Sequence, residues 1–320
     1  MALLELKSLH LYYRTTRGPV RAVDGVSFQI NEGETLALVG ESGCGKTSTA
    51  SAVLRVLPRN VHRYDGEVWL DGTNIMEYDN EEFRKEVRWK AISMVFQGAM
   101  NSLNPVMKVG YQVYEPLITH LEIKKEEALD LARESLKSVG LPEYTVNRYP
   151  HELSGGMKQR VVIATALIMR PKVVILDEPT SALDVMTQAN IINLLKKLKQ
   201  EEKVGYLFIT HDLALASELA DHVGIMYAGK LVEIGPSEEI YADPKHPYTQ
   251  LLLKSVPLLR GTRTPESIPG VPPDLINPPE GCRFRPRCPF AFEKCTEEPP
   301  LQWGNRKAAC WLMEKGGEAA

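Results

Sequence analysis

Up to about residue 255, short β-rich runs (TLALVG, AISMVF, KVVILD, YLFITH) alternate with segments whose apolar positions recur at helical spacing. That alternation predicts an α/β domain built on a largely parallel sheet. Residues 99 to 153 read as a mostly helical insertion, since KKEEALDLARESLKSVG carries apolar residues at helical spacing and ends in a glycine stop. The pattern then stops. The last 65 residues hold 11 of the 22 prolines and show no sustained period of 2 or 3.6. Such a segment buries little surface unaided and needs a partner surface or a staple. The expected division is therefore 1–255 and 256–320, with no internal repeat.

Composition narrows the function classes. With 43% hydrophobic and 25% charged residues the chain is an ordinary globular protein of 320 residues, large enough for a full core and an appendage. A formal net charge of −3 gives no reason to expect nucleic acid held by bulk charge. The apolar stretch Val161 to Met169, broken only by Thr165, is half of the ~18 residues a membrane span needs. MALLELKSLH lacks the basic start and long apolar stretch of a secretory signal, so a cytosolic location is expected. In that compartment metal is the leading use for clustered cysteines, ahead of disulfides.

The first candidate chemistry lies in TLALVGESGCGKTSTASAVL, which reads as strand, glycine-rich turn and helix start. Gly40 to Thr47 fits G-x-x-x-x-G-K-[ST], a loop whose backbone N–H groups surround phosphate. Those N–H groups belong to Gly43, Cys44, Gly45, Lys46, Thr47 and Ser48, and Gly40 and Ser42 of the same loop are counted with the binding residues. Lys46 is expected to reach the β- and γ-phosphates, and the Thr47 hydroxyl to ligate Mg²⁺. The position of Cys44 at a helix start suggests reactivity towards thiol reagents. KVVILDEPTSALD supplies a second strand ending in two acids. Asp177 suits Mg²⁺, and strand alternation turns Glu178 the other way, towards an attacking water. YLFIT ends in His211-Asp212, a further strand tip of the kind that carries ligands in open α/β sheets, which makes His211 a γ-phosphate candidate.

LSGGMKQRVVIATALI adds a second helix start able to hold an anion, at Ser154-Gly155-Gly156. A second anion site has a use if two subunits meet head to tail. With these motifs in this order, nearly all of residues 1 to 255 resembles an ATP-binding-cassette ATPase. The resemblance implies a P-loop NTPase fold: a RecA-like core, an antiparallel β subdomain and a helical subdomain at about 99–153, here followed by a small irregular cysteine-containing extension. It implies that Gly40–Thr47 is the Walker A loop, Val173–Asp177 Walker B and Glu178 the residue that polarises the hydrolytic water. Gln97 resembles the Q-loop glutamine that touches Mg²⁺, and His211 the switch histidine. Leu153, Ser154, Gly155, Gly156 and Gln159 resemble the signature contributed in trans. Ser181, Ala182, Leu183 and Asp184 resemble the D-loop. Tyr13 is implied to stack on adenine, with Tyr12 the second candidate.

FQGAMNSLNP, HPYTQLLLKSVP and GCRFRPRCP resemble the oligopeptide/dipeptide branch of importer ATPases. The branch implies ATP and Mg²⁺, a second, paralogous ATPase subunit, two transmembrane permease subunits, and an extracellular substrate-binding protein reached through the permease. It also implies a peripheral place on the cytoplasmic face of the membrane, with peptide, nickel or oligosaccharide as cargo. One departure stands out: Gly98-Ala99 occupy the place where the family usually has Asp-Pro. Cys282, Cys288, Cys295 and Cys310 are spaced C-x5-C-x6-C-x14-C, without the close pair structural zinc prefers. All-cysteine iron–sulfur sites tolerate wider spacing, and some members of the branch carry a [4Fe–4S] cluster there. The order of expectation is iron–sulfur, zinc, then free thiols. Arg283, Arg285 and Arg287 either offset the cluster charge, form a solvated basic face or bind the adjacent subunit. From another class, a cassette ATPase acting on nucleic acid, ribosome or cluster assembly is the alternative. Only 106 residues separate Thr47 from Ser154, which leaves no room for a chromosome-type coiled coil.

Overall fold

The computed structural model describes residues 2–255, 267–301 and 307–315. They form two compact units: one from the described residues of Met1–Leu4, Ile30–Glu34 and Trp69–Phe208, the other from those of Glu5–Gln29, Thr35–Val68 and Ile209–Ala320. The boundary expected at 255/256 abuts residues 256–266, which lie outside the described residues. The strands are β1 (Leu4–Thr15), β2 (Gly18–Ile30), β3 (Thr35–Val39), β4 (Val61–Leu70), β5 (Thr73–Asn74), β6 (Ile92–Val95), β7 (Val173–Asp177), β8 (Gly205–Thr210), β9 (His222–Tyr227), β10 (Lys230–Pro236) and β11 (Lys307–Ala308).

In the first unit the strands run β8–β7–β6, and β6 pairs in parallel with β7 from Ile92↔Val173 to Val95↔Leu176. Every residue of β6 and β7 is buried. Such uniform burial is why these strands read as unbroken apolar runs, since a parallel sheet is covered on both faces. Helices Val109–His120 and Lys125–Ser138 lie within residues 99–153. Ala128, Ala132 and Leu136 bury one face of the second helix at spacings of four. That helix stops where the sequence says it should, with Gly140 at φ +73°. Helices Gly155–Leu167 and Val185–Glu202 complete the unit's larger helices.

The second unit carries the order β2–β1–β4 and, separately, β11–β10–β9–β3. Strand β3 pairs in parallel with β9, from Leu36↔His222 to Val39↔Ile225. Strand β9 turns back into β10 through Ala228 and Gly229, both at positive φ, the backbone a two-residue hairpin of matching twist requires. The largely parallel sheet expected from sequence thus ends in antiparallel strands.

The proline-rich segment finds its partner surface within this second unit. Lys307–Ala308 extends the sheet by pairing with Glu233 and Ile234. Phe284, 1% exposed, packs its ring 5.2 Å from Tyr227, 5.3 Å from Tyr248 and 5.9 Å from His246. Arg283 is buried as an ion pair with Asp24 and donates a second bond to the Ala228 carbonyl. Burial opposes ionisation of Asp24, but the hydrogen bond from Tyr12 and the charges of Lys230 and Arg283 outweigh it and hold the carboxyl below its usual range. Replacing Phe284 by alanine is expected to cost about 3–5 kcal/mol in a urea melt. The same change at Phe290, 41% exposed, is expected to stay within about 0.5 kcal/mol.

Candidate functional site

The phosphate loop sits between the buried strand β3 and the helix Lys46–Val53. Its glycines are forced by neighbours as much as by any ligand. A Cβ on Gly40 (φ +157°) would lie 2.1 Å from the Met226 carbonyl oxygen, and one on Gly45 (φ +108°) 2.1 Å from that of Ala22. Around Gly43 and beside the exposed Ser42 the loop is open, and Thr47 is exposed while Ser48 is half-buried. Lys46 is 6% exposed, and its Nζ folds back to donate to the carbonyls of Gly40 (2.7 Å) and Glu41 (3.2 Å). This is a loop whose cation is held over the cradle by backbone oxygens.

Cys44 departs from expectation. It is 4% exposed, and burial pushes its thiol up despite the Lys46 charge beside it. A protonated, covered thiol is a poor nucleophile, so the helix start does not make it reactive.

Two anchors of the loop were not read from the sequence. The Glu41 N–H donates to the Tyr248 hydroxyl at 3.0 Å. Tyr248 is brought there by the HPY stretch, in which His246 caps the helix Pro247–Lys254 and Pro247 takes its first position. The Glu41 carboxylate in turn receives both terminal nitrogens of Arg287, at 2.7 and 3.0 Å. Arg283 and Arg287 are therefore buried pairing residues of the fold, and among the three arginines it is Arg285 that lines the cysteine cavity.

Elsewhere in this unit, Tyr12 is buried and donates to Asp24 at 2.6 Å, with Arg63 5.2 Å above its ring. Tyr13, next along the strand, is half-exposed. His211 is exposed just beyond β8, while Asp212 caps the helix Leu213–Leu219 by accepting from Ala214 and Leu215.

The first unit holds the acids. Asp177 ends β7 and is 1% exposed. Glu178 does not continue the strand: its φ is +48°, so a left-handed turn sets its direction, and strand alternation does not. Its Oε2 accepts a 2.8 Å bond from Gln97 Nε2. Two side chains 81 positions apart thus meet directly, which no spacing rule reveals.

Ser154 caps the helix Gly155–Leu167, its hydroxyl accepting from the Met157 N–H at 3.3 Å. Ser154 and Gly155 are exposed and Gly156 half-exposed, whereas Leu153 and Gln159 are buried at 7% and 3%. The signature therefore offers a surface at its serine and glycines, while its two ends are internal. Ser181, Ala182 (φ +62°), Leu183 and Asp184 form a surface turn, and Asp184 caps the helix Val185–Glu202 through Thr187.

Cys282, Cys288, Cys295 and Cys310 all line one cavity, with Phe284, Phe290 and Trp311 around them. Burial pushes the Cys282, Cys288 and Cys310 thiols up, Cys288 to about 11 and Cys310 to about 12, so the latter two are protonated at neutral pH. Among the described residues, no group of three or more His, Cys, Asp or Glu side chains is placed to hold a metal ion. The four thiols converge, but they do not form a ligating set.

Comparison with known proteins supplies a frame for this geometry. A family described as ABC transporter matches residues 23–181, and one described as oligopeptide/dipeptide transporter, C-terminal region, matches residues 232–295. The oligopeptide transport ATP-binding protein OppD of Bacillus subtilis is 47% identical, over 93% of this chain and 85% of its own. The dipeptide transport ATP-binding protein DppD of Caldanaerobacter subterraneus is 44% identical over 98% of both chains. Among solved structures, a dimeric ATP-binding cassette in a post-hydrolysis state, bound to ADP and phosphate, aligns with a TM-score of 0.65. It is 31% identical over 73% of this chain and 98% of its own.

The burial of Cys44 gives a chemical test. In folded protein, mass mapping after brief treatment with an alkylating reagent at neutral pH is expected to leave Cys44 unmodified, and denaturation to expose it. Rapid modification of Cys44 in the folded chain would contradict its protonated, covered state.

Proposed function

The chain belongs to the ABC-transporter ATPases, in their oligopeptide/dipeptide branch, and from that premise we propose how its residues serve ATP-driven import. The protein is an ATPase subunit of an importer, and its cargo is peptide; nickel and oligosaccharide are the lesser readings. The observation that carries this is the phosphate loop, closed around Gly40 and Gly45 by backbone oxygens, in one chain with the oligopeptide-type C-terminal region. Action on nucleic acid, ribosomes or cluster assembly is not favoured.

In this reading the loop N–H groups from Gly43 to Ser48 hold the β- and γ-phosphates, and Lys46 exchanges the carbonyls of Gly40 and Glu41 for phosphate oxygen. Tyr13 stacks on the adenine. Glu178 is the base that takes a proton from the attacking water, and its bond to Gln97 holds it in place until nucleotide arrives. His211 contacts the γ-phosphate. A hydroxyl, a carboxylate and an amide oxygen, from Thr47, Asp177 and Gln97, are the oxygen donors a hard divalent cation takes, and we assign them to Mg²⁺. When bound, Mg²⁺ neutralises developing charge on the phosphates.

The exposed Ser154 and Gly155, the D-loop turn of Ser181 to Asp184, and Val185 and Met186, 78% and 74% exposed, support a face that meets a second, paralogous ATPase. Two permease subunits and, through them, an extracellular binding protein complete the proposed assembly. Among the described residues no helix is long and apolar enough to cross a membrane, which agrees with a peripheral subunit held by its permease on the cytoplasmic face. Gly98, at φ +67° in the coupling region, is proposed to reshape the permease contact relative to an Asp-Pro sequence.

The cysteine cavity is proposed as a metal site, iron–sulfur ahead of zinc. Its support is the four thiols on one cavity. Since they do not stand as a ligating set, no step of the ATP chemistry is routed through it.

Two outcomes are expected. Glu178→Gln slows steady-state ATP turnover by about 10²–10⁴-fold while ATP binding is retained, the usual size of a general-base effect; near-normal hydrolysis would remove Glu178 from the mechanism. In anaerobically purified protein, metal and sulfide assays give iron and sulfide near ~4 per chain. About one zinc would favour the second reading, and no metal would leave the thiols free.

A further inference from the structure

We propose that Arg287, in the cysteine-bearing C-terminal segment, is a positioning residue for nucleotide binding, acting by clamping Glu41 of the phosphate loop. The inference rests on the reading that this loop binds ATP. Glu41 is the first residue after the β3–Gly40 junction, and the structure leaves none of its groups idle. Its N–H goes to Tyr248, its carbonyl accepts from Lys46 Nζ and from the Cys44 N–H (3.2 Å), and its carboxylate is gripped by Arg287 at both oxygens. A residue that carries one of the two backbone contacts of Lys46 therefore takes its own position from the C-terminal segment.

Arg287 is suited to that task and not merely near it. Its side chain is 5% exposed, against 26% for Glu41. Its Nε donates to the Pro269 carbonyl at 2.7 Å, and one terminal nitrogen, Nη1, also donates to the Tyr227 hydroxyl at 3.2 Å. The guanidinium lies 5.7 Å from the Tyr227 ring centroid and 5.9 Å from that of Phe284. A planar fork held by a carbonyl, a hydroxyl and aromatic faces has one geometry left for its outer edge, and the carboxylate of Glu41 fills it. Bidentate charge-assisted pairs of this kind are strong and directional, and a lysine reproduces the charge but not the fork.

The position of Arg287 also ties the loop to the thiol cavity. It ends the short turn Arg285–Arg287, which directly precedes Cys288, and Phe284 at the start of that turn lines the cavity itself. What fixes the turn fixes the guanidinium, and through it the loop. The C-terminal segment is thereby part of the nucleotide site without touching nucleotide.

The test compares the full-length wild type with Arg287→Ala, Arg287→Lys, Glu41→Gln and the Arg287→Ala/Glu41→Gln double variant, measuring MgATP affinity by equilibrium titration and the unfolding midpoint separately. Arg287→Ala is expected to weaken MgATP binding about 10-fold, within the usual range of site-to-site coupling. Arg287→Lys is expected to recover part of the loss, and the double variant to be no weaker than either single one, because both remove the same clamp. Unchanged affinity in Arg287→Ala, or losses that simply add in the double variant, would overturn the inference even if the unfolding midpoint falls. Should Arg287→Ala not fold, Glu41→Gln, on a partly exposed side chain, carries the test alone: wild-type affinity there sinks the clamp. Failure of the underlying reading looks different, since wild type and Lys46→Ala would then be alike in binding no MgATP.

Discussion

The phosphate loop has no room for side chains at its two ends, and much of the second unit is arranged around that constraint. Gly40 and Gly45 press against the carbonyls of Met226 and Ala22, which belong to β9 and β2. The loop is therefore packed into its unit by backbone on two sides, and its open face is left to the residues between. Such tight approach is what glycine allows, at the cost of conformational entropy in the unfolded chain. The contacts of Lys46 and Glu41 then set where the loop's one buried cation rests.

Around this loop the polar groups are buried in pairs. Arg283 with Asp24 and Arg287 with Glu41 join the C-terminal segment to the phosphate-binding region of the same unit. A buried charge pair is weak evidence for net stability, because desolvation consumes much of the attraction. What it does supply is position: removing one member leaves an uncompensated buried charge, so the pairs hold one arrangement. The apolar part of the docking, Phe284 among Tyr227, Tyr248 and His246, supplies the burial that a proline-rich stretch lacks on its own. Burial also pushes His246 down to about 3, so this core histidine stays neutral and serves as a helix cap.

The first unit solves a different problem, that of aiming an acid. Its buried strand β7 delivers Asp177, and the chain then turns left-handed at Glu178. A non-glycine residue in that conformation is uncommon and costs energy, which fits a side chain whose direction matters more than its comfort. Gln97 holds it there.

The elements and the motifs were legible along the chain. Unbroken apolar runs become buried strands, the 99–153 insertion becomes helices, and the glycines, Lys46 and Thr47 stand at a strand-to-helix junction, because these features depend on local period and on residues a few positions apart. The sequence also indicated the need of the C-terminal segment for a partner surface. Tertiary structure alone decided what depends on distant meetings. Arg287 reaches Glu41 across 246 positions and Arg283 reaches Asp24 across 259, which makes buried anchors of two arginines expected to face a cluster, solvent or an adjacent subunit. Packing also decided that Cys44 is covered and inert, that Leu153 and Gln159 of the signature are internal, and that Glu178 turns out of its strand. Whether a thiol, a glutamine or an arginine is covered, and where the backbone is strained, depends on contacts between distant residues, which no local pattern encodes.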